Sequence, residues 1–133
     1  MSSNSFSVGD LVIITKSLVH LEQLTWLSLY YCGSMNTEAV TNFSEALKKM
    51  TKLQHLDLSC TEIGKTKLAL PDFGLLTQLR ELSLWSISFN NVMMKEFCCQ
   101  LDGLTQLVSL NLGNNCGVGE EGLCLLGDNM HKL

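Results

Sequence analysis

Two stretches and two residue types in this chain could do chemistry. Gly64-Lys65-Thr66 follows the strand-like Leu56-Asp57-Leu58 and is the tail of a phosphate-binding loop, Gly-x-x-x-x-Gly-Lys-[Ser/Thr]. In such a loop, backbone amides and the lysine cradle phosphates, and the N-terminus of the next helix holds the charge. The first glycine of that pattern falls on Ser59, and Pro71 interrupts any helix that follows. Gly64 therefore reads as a turn residue, with Lys65 and Thr66 solvated. Residues 114–122, Asn-Asn-Cys-Gly-Val-Gly-Glu-Glu-Gly, are glycine-rich but carry no lysine. They read as a loop entering a helix.

Cysteine and histidine are the other candidates. The cysteines stand at 32, 60, 98, 99, 116 and 124, with no Cys-x-x-Cys pair, and His20, His55 and His131 have no partner four residues away. Zinc ligation needs such local pairs, so no metal is expected. Cys98 and Cys99 are adjacent and, on a helix, point about 100° apart, so at most one is buried. His55 and Cys32 could approach as a base and nucleophile on neighbouring strands, but Cys32 has a structural use described below. No catalytic residue, no cofactor and no enzyme activity are expected. The scattered cysteines read as reduced thiols rather than a disulfide framework.

Composition narrows the partners. The 133 residues are 46% hydrophobic and 17% charged, with a net charge of -4. That suffices for a folded core. The cations gather only around Lys48-Lys49 with Lys52, and at Lys65 and Lys67, too few for a nucleic-acid surface. No apolar run reaches the roughly 20 residues of a spanning helix, so no membrane is expected. The start, Met-Ser-Ser-Asn-Ser-Phe-Ser, lacks the basic-then-apolar order of a secretory leader, and a cytoplasmic location is expected. Asn42-Phe43-Ser44 is a glycosylation sequon inside a stretch of helical spacing.

What positions these residues is a repeat. Residues 24–32, 53–61, 79–87 and 107–115 each read Leu-x-x-Leu-x-Leu-x-x-[Cys/Thr/Ile/Asn]. They begin at Leu24, Leu53, Leu79 and Leu107, spacings of 29, 26 and 28 residues. The lead-ins agree too: Leu21-x-x-Leu24, Met50-x-x-Leu53, Leu76-x-x-Leu79 and Leu104-x-x-Leu107, with Met130-x-x-Leu133 as a fifth. Leu-x-Leu alternation predicts a short strand with one buried face. Helical spacing follows at Val40, Phe43, Leu47 and Met50, capped by Asn36 or Thr37 with Glu38 in the first turn. It recurs at Met93, Met94, Phe97, Leu101 and Leu104. A last helix opens at Glu120-Glu121, with Leu123 and Leu126 predicted to face inward. The second unit is short and holds Pro71, which predicts a single turn or a loop. Ile63-Gly64, Val118-Gly119 and Val8-Gly9 read as equivalent apolar-plus-glycine turns from strand to helix side.

These motifs resemble the leucine-rich-repeat family in its longer, ribonuclease-inhibitor-like form, across essentially the whole chain. The resemblance implies one α/β domain over residues 1–133 with about four complete units and partial units at both ends. It implies a curved solenoid, a right-handed β-α superhelix with a parallel sheet on the concave side and helices on the convex side. In that family an Asn after the strand satisfies loop backbone groups. Cys32, Thr61 and Asn115 occupy that place here, but Ile87 cannot form such bonds. The ends read as mid-unit, which predicts a piece of a larger array that self-associates through uncapped ends.

Function follows from the strand positions that alternate with the inward leucines. The candidate protein-binding face is Trp26, Ser28, Tyr30, His55, Asp57, Arg80, Glu81, Trp85, Ser109 and Asn111, with Ser59, Ser83, Gly113, Tyr31 and Asn114 in or beside it. Aromatics with a polar handle are enriched at protein interfaces. The long repeats and reduced cysteines are similar to the ligand-sensing repeats of cytosolic NOD-like (NACHT, nucleotide-binding) innate immune receptors. Partners would then be a protein ligand or neighbouring domains of the same receptor. The alternative is a stand-alone scaffold or inhibitor similar to ribonuclease inhibitor.

Overall fold

Each Leu-x-Leu segment forms a strand, but a very short one. In the computed structural model, which describes residues 6–133, the strands are β1 Trp26–Ser28, β2 His55–Asp57, β3 Glu81–Ser83 and β4 Ser109–Asn111. Met1–Ser5, on which the leader reading falls, lie outside the described residues. The strands form one parallel sheet in the order β1-β2-β3-β4. Their register aligns like with like. Leu27, Leu56, Leu82 and Leu110 make one row, flanked by the row Trp26, His55, Glu81, Ser109 and the row Ser28, Asp57, Ser83, Asn111.

The lead-ins explain why the strands start in step. Leu24, Leu53, Leu79 and Leu107 each donate a backbone N–H to the carbonyl three residues earlier, at Leu21, Met50, Leu76 and Leu104. Leu133 does the same to Met130. The exits match as well. Tyr31, Cys60, Ser86 and Asn114 all adopt left-handed backbone, with φ of 54°, 60°, 55° and 54°. This conformation is costly for a side chain bearing Cβ, by roughly 1–2 kcal/mol. Its recurrence at one repeat position turns every unit away from the sheet in the same manner.

Among the described residues, four helices lie before, between and after the strands: α1 Val8–Ser17, α2 Thr37–Leu47, α3 Asn91–Gln100 and α4 Glu120–Asn129. Their starts are chemically marked. Ser7 and Asp10 form a reciprocal capping box, Asn36 accepts from Ala39 N at 2.8 Å, and Asn90 accepts from Met93 N at 3.0 Å. α4 has no side-chain cap but carries Glu120 and Glu121 in its first turn, where the helix dipole favours acid. The second unit has no α-helix. It contributes 3₁₀ turns at Ile63–Lys65 and Phe73–Leu75, as Pro71 predicts. No helix among the described residues is long and apolar enough to cross a membrane.

The inward leucines meet Phe43, Phe73, Phe89 and Phe97 in one buried cluster. Phe97 takes Phe89 and Phe73 edge-on at 5.9 and 6.4 Å. Cys98 is buried beside them while Cys99 is exposed, as their helical phase requires. Two expectations fail here. Leu123 is 60% exposed, and the inner face of α4 is formed by Gly122, Leu125 and Leu126 instead. α4 packs against α3 on one flank, so a wide apolar stripe is not covered on both sides. Gly9 is not a turn glycine either: it sits in the first turn of α1, behind the Ser7 cap.

Candidate functional site

The phosphate-loop candidate is accounted for by packing. At Gly64 a Cβ would come within 2.4 Å of Ser88 O and 2.7 Å of Ile87 O, and the Gly64 N–H donates to Ile87 O at 2.8 Å. The glycine is demanded by the next unit's backbone. Lys65 is exposed, as expected, and pairs with Glu62. The Thr66 hydroxyl donates to Ile63 O at 2.8 Å and is half-buried rather than fully solvated. Lys65 and Ser34 together hold the Glu62 carboxyl below its usual range.

The second glycine loop has a feature the sequence reading missed. Gly117, Gly119 and Gly122 stand in Gly-x-Gly-x-x-Gly order between β4 and α4. Each is explained by the neighbouring unit. A Cβ on Gly117 would lie 2.6 Å from Phe89 O, and one on Gly122 would lie 2.6 Å from Asn91 Oδ1. Gly119 donates its amide to the same Asn91 Oδ1 at 2.9 Å. The close turn expected of Gly119 is therefore made by Gly117, and the Gly119 amide is taken by Asn91. Among the described residues no group of three His, Cys, Asp or Glu side chains could hold a metal ion.

The place of the loop-bonding residue shows how the units interlock. Cys32 Sγ donates to Tyr30 O at 3.6 Å, and Thr61 Oγ1 to Leu58 O at 2.7 Å. Asn115 does far more. Its Oδ1 accepts from Ile87 N and Phe89 N at 3.1 and 3.0 Å, and its Nδ2 donates to Leu84 O and Leu112 O at 2.9 and 2.8 Å. Ile87 makes no such bonds back to the second unit, where Thr61 N instead donates to Leu58 O at 3.3 Å, and the Ile87 side chain is fully buried in the core. Burial raises the Cys32, Cys60 and Cys98 thiols above their ordinary value, which leaves them protonated and poor nucleophiles. His55 meets Glu81, with Nδ1 3.2 Å from Oε2.

The sheet face away from the helices is where the predicted binding residues gather. Trp26, His55, Asp57, Glu81, Ser109 and Asn111 line one groove of about 260 Å³. Trp26 is 62% exposed, Tyr30 57% and Trp85 37%. Trp85 leans over Gly113, where a Cβ would be 2.9 Å from the indole Cδ1. Some members have local work. Ser28 Oγ, Asp57 Oδ1 and Asn111 Oδ1 accept from the amides of Tyr30, Ser59 and Gly113, at 3.3, 2.9 and 3.0 Å. These are side-chain turns that shape the strand exits. Ser59, expected on the open face, is buried, bonded to Asp57 Oδ1 at 2.5 Å and Ser83 Oγ at 2.8 Å. Arg80 stands apart, lining a different depression of about 440 Å³ with Gln54, Gln78 and Gln106. Tyr31 and Asn114 sit at the left-handed exits, and Asn114 donates to Ser86 Oγ at 3.1 Å. Compared with known protein families, with curated proteins and with solved structures, the chain matches none.

Proposed function

We propose that this chain is a leucine-rich-repeat segment that binds a protein ligand through the open face of its sheet. One observation carries the reading. The face holds Trp26, Tyr30 and Trp85 exposed, while every leucine of β1 to β3 is buried beneath it. Large aromatics with polar edges are costly to leave in water and supply most of the energy at protein interfaces. The repeat supports the solenoid part of the proposal. Strands pack about 4.8 Å apart and helices about 8–10 Å apart. A stack with both layers therefore curves with the sheet inside, which makes the binding face concave. The six free thiols and the long units favour a ligand-sensing array of a cytosolic NOD-like receptor.

The test is a peptide-display selection against the immobilised chain. Selected binders should lose at least about tenfold in affinity to Trp26→Ala or Trp85→Ala, in line with aromatic interface anchors. Far-UV circular dichroism should stay unchanged. Binders that hold equally well to both variants would remove the face from consideration. Loss of helical signal in Trp85→Ala would instead show that this indole supports the fold over Gly113, leaving Trp26→Ala to decide.

A further inference from the structure

The chemistry of the partner can be read from the charges on the face. The paired outward positions of the four strands are Trp26, Ser28, His55, Asp57, Glu81, Ser83, Ser109 and Asn111. None is Lys or Arg. Arg80, just before β3, lines a separate depression. The face thus presents two carboxylates on adjacent strands with no fixed positive charge among them. Each carboxylate has bonding capacity to spare. Asp57 uses Oδ1 for Ser59, and Glu81 uses Oε2 for His55. Among the described residues, Asp57 Oδ2 and Glu81 Oε1 have no protein partner. Trp26 lines the same groove, and Tyr30 and Trp85 are exposed just beyond the ends of β1 and β3.

We propose that this groove receives an arginine side chain from the protein partner. The inference rests on the face being a protein-binding surface, and adds what the surface selects. A guanidinium is planar, always charged and weakly hydrated. It stacks on an indole while its fork of N–H groups donates to carboxylates. A lysine ammonium offers a point charge without the plane, so it meets the acids but gains less from Trp26. An acidic or phosphorylated segment is repelled by Asp57 and Glu81. The neutral serines and Asn111 along the rows leave room for backbone groups flanking the arginine.

The chain reports on itself. Its two tryptophans, Trp26 and Trp85, both stand at this face, so intrinsic fluorescence reads the groove and its rim. We would titrate the full chain with tetra-arginine and, separately, with tetra-lysine. Tetra-arginine should change the emission saturably, with half-saturation at least about fivefold below that of tetra-lysine. Glu81→Gln, exposed and free of any fold-supporting bond besides that to His55, should raise the tetra-arginine half-saturation at least about fivefold. The double change Glu38→Gln, Glu45→Gln on the exposed side of α2 lowers the net negative charge further and should leave it unchanged. No saturable response, equal response to both peptides, or equal effects of the face and α2 variants would overturn the proposal. Display-selected binders that need Trp26 yet ignore Glu81→Gln would also overturn it, while leaving the binding face itself standing.

Discussion

Asn115 shows how much a single side chain can hold in a repeat with imperfect units. It satisfies two donors and two acceptors of backbone that would otherwise be buried and unpaired. A buried group left unsatisfied costs about 1–3 kcal/mol. Asn115→Ala should therefore lower stability by about 2–4 kcal/mol, read as a shift in the urea midpoint at constant slope. A loss under about 1 kcal/mol would mean that water or rearranged backbone replaces the amide. Replacing Ile87 by Asn does not offer a remedy, since Ile87 is fully buried among apolar neighbours. Asn115 was legible in the sequence as a bonding residue, because the repeat places one there. Its partners at Ile87, Phe89 and Leu84 were not, because periodicity describes each unit alone while the hydrogen bonds cross between units.

Elements add a second layer, in which glycines separate close packing from mere flexibility. Gly64 is in contact with the backbone of Ile87 and Ser88, whereas a Cβ at Gly127, inside α4, would have nothing within 4 Å. Gly64→Ala should destabilise, because the atoms a Cβ would strike are backbone and cannot step aside. Gly127→Ala should stabilise by about 0.5–1 kcal/mol through the gain in helix propensity. Thermal melts of the two variants, run side by side, check both signs; a neutral Gly64→Ala would refute the contact. Strand positions, the cap at Asn36 and the helix-poor second unit follow from period and capping chemistry. Strand length does not: the regular register covers three residues, and beyond it Tyr31, Cys60 and Ser86, at the left-handed exits, still donate to Ser59 O, Trp85 O and Gly113 O of the next unit. Leu123 and Gly9 depart from expectation for one reason. A local apolar or glycine pattern does not say which neighbour is there to be packed against.

At the scale of the whole molecule, the two flanks of the sheet differ. Leu27, Leu56 and Leu82 are buried, while Leu110, their counterpart on β4, is only half-buried and Val108 is 80% exposed. Arg80 O accepts from both Val108 N and Ser109 N; the equivalent Val108 O faces the open edge of β4. An apolar flank beside an unpaired strand edge is a template for association. Sedimentation velocity over a wide range of concentrations should show concentration-dependent self-association through that edge. The double variant Val108→Lys, Leu123→Lys should restore a single monomer boundary. A sharply monomeric wild-type chain throughout that range would count against the flank as a sticky surface.

The backward reach of Asn115 also gives the chain a sense of time. The amide of Ile87 waits for a side chain 28 residues further on. During synthesis at about 5–20 residues per second, that interval lasts about 1–6 seconds. Until residue 115 is made, the Ile87 and Phe89 amides have no native side-chain acceptor, so the exit of the third unit is completed by the fourth.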